Sequence, residues 1–494
     1  MSKIRPHTSS NLVHQKKPAQ LLVALESTIE STSGSSTRHA STLTTTLSSL
    51  SAAPAASAYY AALVTTLEGT LTRNETSLDE GEILPATLYL LAIVTPFVPP
   101  SLLRSQLATL HPILAPLLPH TNPHAPSLRS LITIFGVVIS SLDSHSLDVL
   151  GVRGSFSTLV ERTIDPRPKV RRKAAEVVRD ILSNPPTPLQ VHPWRVRVSE
   201  WACAVLDTHK GEPETLIHLL AFLRMLVPGL ISPEHVRTFA TRLLALPKLS
   251  SPYLPQQAYG LLASMLSSES DEVDADKARE TASSVLEAIV LSPPSKQDVQ
   301  LAPYWLTALG QAALAASSPS PSSSTGMDLD SRSPSAAPQI DLAKIWDLGF
   351  TYLESAPAIR KSAEDALIKL TQCVPPLVPH VPKSLLRTLD SGGLTSLAYA
   401  PALANTLRIL ASFIMAFAVP WSDAVKKSGA RAYFGDVVRK VGEMRVREGF
   451  EHREGADAVF CAFARAAGVD GLLSVLPLNL APEERSVVMF PLLV

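Results

Sequence analysis

Cysteine is scarce: Cys203, Cys373 and Cys461 are the three in 494 residues, far apart and with no Cys-x-x-Cys pair. That spacing excludes a disulfide framework and a thiolate metal site and implies a reducing compartment; the three thiols read as small buried hydrophobes. Glycine is sparse too, at 21, and Asn-Gly or Asp-Gly pairs are few, so the hairpin signal of an all-β fold is missing. The 44 basic and 44 acidic side chains cancel, so no global field pulls the chain onto nucleic acid or an anionic membrane. The longest apolar runs, Leu84 to Val98 and Ile409 to Val419, fall short of a bilayer, and the first carries Pro85 and Pro96. Met1 to Pro18 is polar and basic, without the apolar core of a signal peptide.

Motifs of catalysis are missing as well. The sequence has no phosphate-cradling Gly-rich loop, no Gly-x-Ser-x-Gly elbow and no His-Glu-x-x-His, so it reads as a non-enzyme needing no cofactor, metal or small-molecule substrate. His120 and His124 have metal-friendly spacing, but Pro119 and Pro123 make their segment a loop and no Cys or carboxylate completes a site.

What is there is helical. Leu, Ala and Ser dominate, and the 41 prolines sit mostly at helix borders. One template occurs twice: Asp165, Pro168, Val170, Arg171, Ala174, Val178 and Ile181 recur as Glu354, Pro357, Ile359, Arg360, Ala363, Leu367 and Leu370. An acidic turn, Pro in the first turn and apolar positions at helical spacing describe a helix start followed by one buried face. The Asp-x-x-x-x-Val-Arg-x-x-Ala order resembles the second helix of a HEAT repeat. The resemblance implies an all-α fold, an α-solenoid of HEAT-like antiparallel helix pairs that binds rather than catalyses. It also implies that Arg171 pairs with acids of adjacent repeats. Asp165, Val170, Arg171, Glu354, Ile359 and Arg360 are the structural positions of the two copies.

Along the chain, residues 1–18 read as a flexible basic lead and residues 19–315 as the first part of the solenoid. Within it, helices are expected over Tyr59 to Leu71, Leu84 to Val94, Ser101 to Leu110, Ser127 to Leu142, Ser155 to Thr163, Val170 to Leu182, and onward to Asp276 to Val290. Residues 316–338, rich in Ser and Pro, read as a disordered loop. Ser318, Ser320 and Ser333 each precede Pro there and are candidate phosphosites, with a plain spacer as the other reading. Residues 339–494 read as the second part of the solenoid, with helices over Lys383 to Leu389, Ala400 to Phe417, Ala424 to Arg445 and Gly455 to Ala467. The apolar end Phe490 to Val494 lacks the polar cap of a solenoid and reads as a truncation.

Two basic clusters are candidate phosphate contacts. Lys169, Arg172, Lys173 and Arg179 lie around the first template helix; Lys426, Lys427, Arg439 and Lys440 lie near Tyr433 and Phe434. Each cluster reads either as a solvated face or as an RNA backbone contact, and the Tyr-Phe pair either as core or as a base-stacking platform.

Three further passages narrow the process. Lys3 to Leu12 followed by His14-Gln15-Lys16 and Leu21 to Glu26, then Tyr59 to Glu68, and Asp165 to Arg171, resemble the ribosomal RNA processing protein 12 family, and Leu473 to Leu480 resembles a late marker of it. The resemblance implies a nucleolar and nuclear HEAT-repeat scaffold that binds pre-ribosomal particles, supports pre-rRNA processing and helps export subunit precursors, with shuttling to the cytoplasm as part of that expectation. Its implied partners are pre-rRNA, pre-ribosomal particle proteins, Ran and nucleoporins, with no membrane. The alternative is a HEAT-repeat adaptor or transport-receptor-like protein that binds protein partners only. Members of the family are longer than this chain and carry a charged tail.

Overall fold

A computed structural model describes residues 56–79, 82–227, 229–231, 233–246, 253–267, 275–317, 341–373, 377–378, 380–390, 400–418 and 423–476. Among them the fold is all-α: helices and short 3-10 turns, with no strand. The chain divides into two compact units, Met1–His235 and Val236–Val494. The Ser/Pro-rich segment with Ser318, Ser320 and Ser333, the N-terminal lead and the apolar end lie outside the described residues.

The first unit contains α1 (Ala56–Thr72), α2 (Ile83–Val94), α3 (Pro100–Ser105), α4 (Leu107–Leu114), α5 (Leu117–His120), α6 (Ala125–Ser140), α7 (Leu150–Glu161), α8 (Pro168–Ser183), α9 (Arg195–Thr208) and α10 (Pro213–Leu226). Helix α2 packs on α6, α6 on α8, and α8 on α10, so these four form one row, with α1 and α7 packed against row members. That arrangement is the stacking logic of a solenoid, where each repeat buries its apolar face against the next. Helix α8 shows why: Val170, Ala174, Val178 and Ile181 recur at helical spacing and are all buried, while Lys169, Arg172, Asp180 and Ser183 face water. Row helices α6, α8 and α10 each carry Pro in the first turn, where the missing amide hydrogen costs nothing.

Helix α11 (Pro233–Ala245) spans the division. The second unit continues with α12 (Tyr253–Leu266), α13 (Ala275–Val290), α14 (Ala302–Ala316), α15 (Leu342–Thr351), α16 (Pro357–Thr371), α17 (Val381–Asp390), α18 (Leu403–Phe417), α19 (Asp423–Val446) and α20 (Arg453–Val475). Here α12, α14, α16, α18 and α20 make the row, each packed on the next, with α13 on α14, α15 on α16 and α19 on α20. Aromatic side chains fill the layer between. Trp305 donates its indole N–H to the Ile289 carbonyl at 3.0 Å and lies 5.3 Å from the Tyr352 ring, whose hydroxyl donates to the Pro294 carbonyl at 2.6 Å. Phe413 and Phe417 on α18 meet Phe434 on α19 edge-on at 5.5 and 5.4 Å.

Several expectations need correction. Helix α14 has no counterpart in the sequence reading, because Ala302 to Ala316 is apolar nearly all round and shows no amphipathic stripe; it is packed by α12, α13 and α16. The single helix expected over Ser101 to Leu110 is two, parted at Gln106. Helix α20 breaks at Gly468, whose φ of +79° suits glycine, so the expected end at Ala467 is a kink after which a second helical stretch runs to Val475. Among the described residues α20 alone is long and apolar enough to cross a bilayer, yet Val459, Phe460, Phe463 and Ala466 are buried in the stack. Cys203 and Cys373 are buried as expected, whereas Cys461 is exposed on α20.

Candidate nucleic-acid interface

The two template copies can be compared bond by bond. Val170 and Ile359 are fully buried, and the arginines that follow them turn back onto the loops before their helices. Arg171 donates to the Asp165 carbonyl at 2.7 Å and the Pro166 carbonyl at 3.2 Å. Arg360 donates to the Leu353, Ser355 and Pro401 carbonyls at 3.0, 3.1 and 3.2 Å. Both spend their charge on backbone carbonyls near helix starts, rather than on acids of a neighbouring repeat. His218 on α10 is held below its ordinary value by burial and by the nearby Arg171 charge.

The link between repeats in the first unit is made by Arg167, two residues before Lys169 in the sequence. Its guanidinium donates to both Asp165 carboxylate oxygens at 2.9 and 2.8 Å and reaches the backbone and side-chain oxygens of Asn122, just before α6. Burial alone would raise the Asp165 carboxyl; the Arg167 hydrogen bonds and charge outweigh it and hold the group below its ordinary value. The signal for this role was the Asp-Pro-Arg-Pro order, where a carboxylate two residues before Arg can accept both its amide and its guanidinium. In the second copy Glu354 meets Lys296 at 3.3 Å instead.

The outward cations separate by their partners. Lys173 pairs with Glu176 at 4.0 Å and Arg179 with Asp180 at 3.1 Å. Lys169 and Arg172 are exposed and meet no acid within 4 Å among the described residues. The adjacent row helix adds a residue the sequence reading missed: Arg129 lies half-buried on the stripe Pro126, Arg129, Thr133, Val137, the least buried side of α6. Gly136 of α6 sits against Val177 of α8, where an added Cβ would lie 2.6 Å from a Val177 methyl. Two turns earlier on each helix, this register sets Arg129 level with Val170. The Arg129 Nε is buried without a hydrogen-bond partner among the described residues.

The other cluster, on α19, is engaged in the second unit's own contacts. Arg439 pairs with Asp436 at 3.0 Å, Lys440 with Glu443 at 3.5 Å, and Arg445 with Asp457 of α20 at 2.6 Å. Of the aromatic pair, Phe434 is fully buried and Tyr433 is exposed, edge-on to Phe417 at 6.2 Å. Lys426 and Lys427 lie on the helix, and their side chains are outside the described set.

His120 bonds the Thr76 carbonyl at 2.8 Å and His124 the Ser127 hydroxyl at 2.8 Å, and no group of three metal-type ligands occurs among the described residues. A void of about 10 Å³ between α4, α6 and α7, lined by Leu110, His111, Phe135, Val152 and Ser155, has room for one water at most.

Rows of Pro-led helices, buried template faces and arginines folded back on loop carbonyls define a HEAT-repeat α-solenoid. A family model described as "RRP12-like, N-terminal HEAT repeats" matches residues 37–273, and one described as "Ribosomal RNA-processing protein 12, HEAT repeats" matches residues 353–493. The chain belongs to this RRP12-like family of HEAT-repeat proteins. It is 22% identical over 333 residues to the Ribosomal RNA-processing protein 12 of Saccharomyces cerevisiae (strain ATCC 204508 / S288c), covering 62% of this chain and 26% of that protein. The chain thus spans about a quarter of the length of that curated relative.

Proposed function

We propose that the chain is a non-enzymatic scaffold of ribosome biogenesis that binds pre-ribosomal particles, supports pre-rRNA processing and assists export of subunit precursors. The observation that carries this reading is the family match, which runs through both units. Its biochemical contact is with pre-rRNA phosphates, through Lys169 and Arg172 at the start of α8, where no acid among the described residues neutralises them. Lys173 and Arg179 add to that field despite their own acids. Nuclear and nucleolar residence, shuttling, and dealings with Ran and nucleoporins belong to the same reading.

Ultraviolet crosslinking of the tagged chain in growing cells, with sequencing of the attached RNA, tests it. Reads concentrated in precursor ribosomal RNA are expected. Background reads together with co-purifying assembly proteins would favour an adaptor that binds protein only, a reading that gains support from the internally paired cations of α19.

A further inference from the structure

Three hydroxyl residues among the described ones come directly before proline: Thr95, Thr187 and Ser292. Their surroundings differ. Thr95 is fully buried and donates its hydroxyl to the Leu91 carbonyl. Ser292 is exposed just past α13, but the chain beyond it is held down where Tyr352 bonds the Pro294 carbonyl at 2.6 Å and Lys296 meets Glu354 at 3.3 Å. Thr187 lies on the loop between α8 and α9, and every residue from Thr187 to Val191 is exposed. Among the described residues, the backbone from Pro185 to Val191 makes one backbone-to-backbone hydrogen bond, from the Leu189 amide to the Pro186 carbonyl at 2.8 Å. The firm anchors are at the two ends. Asn184 donates to the Asp180 carbonyl at 2.7 Å, and buried Trp194 packs on Phe156 at 4.3 Å with His192 beside it at 5.3 Å. Drawing the segment between them into the groove of another protein therefore costs one hydrogen bond and moves no core side chain.

We propose that Thr187 is a phosphoacceptor for a proline-directed protein kinase. A kinase groove that gives the residue after the acceptor an apolar pocket and no carbonyl for its amide selects proline, and Pro188 meets that demand. Pro185 and Pro186 just before the acceptor stiffen the segment on its other side. The γ-phosphoryl group of ATP passes to the Thr187 hydroxyl oxygen, the hydroxyl proton goes to the base of the kinase, and ADP leaves. The phosphate brings about two negative charges into Ser183 to Pro193, a stretch without Asp, Glu, Lys or Arg. The cations flanking that stretch are engaged, Arg179 with Asp180 at 3.1 Å and Arg195 with the Ile231 carbonyl at 2.8 Å. The phosphate therefore stays in water beside exposed Leu189 and Val191, a mark for a partner that reads phosphothreonine with arginines rather than a clamp within the fold. Lys169 and Arg172 lie at the other end of α8, roughly 15–20 Å away along the helix and beyond the screening length of physiological salt, so the mark and the RNA contact are separate.

The test is incubation of the full chain with ATP and a purified proline-directed kinase of the mitogen-activated class, with the phosphates mapped by mass spectrometry of a digest. Phosphate on Thr187 is expected, with Thr95 unmodified in the same digest. Thr187→Ser should keep the modification, and Pro188→Ala should slow it by about tenfold or more, since the groove then meets an unpaired amide. A Thr187 peptide that is detected without phosphate, while serines elsewhere in the chain are modified, overturns the proposal. Equal rates for Pro188→Ala and the parent overturn the proline-directed class. The same peptide from the tagged chain of growing cells should carry phosphate in a measurable fraction, and its recovery wholly unmodified across growth phases would show that Thr187 is not used. Thermal melts of the modified and unmodified chains should coincide. A melting temperature moved by several degrees would show the phosphate bound within the fold, against its reading as an exposed mark.

Discussion

Glu364 on α16 and Arg408 on α18 form an ion pair in which the carboxylate is almost fully enclosed, 2% exposed, while the guanidinium remains half in water. Asn405 donates to the same carboxylate at 2.6 Å, so two side chains of α18 clamp one acid of α16. In the first template copy the corresponding position is Ala175, also buried. Removing Arg408 strands a desolvated charge, whereas removing Glu364 frees an arginine that water can solvate. Arg408→Ala is therefore expected to cost about 3 kcal/mol and Glu364→Ala less, about 1–2 kcal/mol, in urea unfolding. Equal costs for the two would show that the carboxylate is better hydrated than its enclosure implies.

Acid should loosen both units through two buried carboxylates. Burial raises the proton affinity of Asp165 and Glu364, but hydrogen bonds from Arg167, and from Arg408 and Asn405, more than offset it and leave each folded value depressed. A depressed folded value means stability that is present above the unfolded-state value and is lost as pH falls through the folded one. For these groups the loss lies below their ordinary values of 3.8 and 4.5. The urea midpoint should hold from pH 7 down to about 5 and then fall. The Asp165→Asn, Glu364→Gln double variant, less stable at pH 7, should fall less steeply, and a parallel acid limb would assign the loss to other groups.

How much of this was legible depends on where the information sits. The template helices were readable because Val170, Ala174 and Val178 alternate with charged residues at helical spacing, and one buried face is all that a row helix needs. Helix α14 was not, because its less buried side carries Pro303, Tyr304, Thr307 and Gln311, with no charge to set it off from buried Trp305, Leu309 and Ala312. The candidate interface was legible as a charge cluster but not as a surface. Which cations stay unpaired depends on Glu176 and Asp180 lying one turn or one residue away, and the level of Arg129 along α8 depends on a register set by Gly136 and Val177.

Small residues set a second close approach, between Gly310 on α14 and Ala366 on α16. A Cβ on Gly310 would lie 2.9 Å from the Ala366 Cα and 3.1 Å from its Cβ, and a backbone atom cannot swing aside. Gly310→Val should cost about 2 kcal/mol or more by forcing α14 and α16 apart, despite the lower backbone entropy that leaving glycine brings. Gly154, with nothing near its would-be Cβ, serves as the comparison. Gly154→Ala in α7 should leave stability unchanged or raise it by up to about 1 kcal/mol. Thermal melts of the two chains decide the matter, and a Gly310→Val melting temperature equal to that of the parent would mean the helices are not held this close.

The two basic clusters should behave differently toward RNA although their sequences look alike. At the start of α8, Lys169 and Arg172 have no acid to satisfy them among the described residues, so a phosphate gains their full charge at little desolvation cost. On α19, Arg439 and Lys440 already face Asp436 and Glu443, and a phosphate would have to displace those carboxylates while meeting their repulsion. Neutralising each pair separates the cases. Lys169→Gln with Arg172→Gln should weaken binding of single-stranded RNA and reduce the salt slope by about 1.4, two contacts at about 0.7 each. Arg439→Gln with Lys440→Gln should leave affinity and slope within error of the parent. The reverse result would move the RNA to the second unit and make Tyr433, exposed beside that cluster, the aromatic to substitute next.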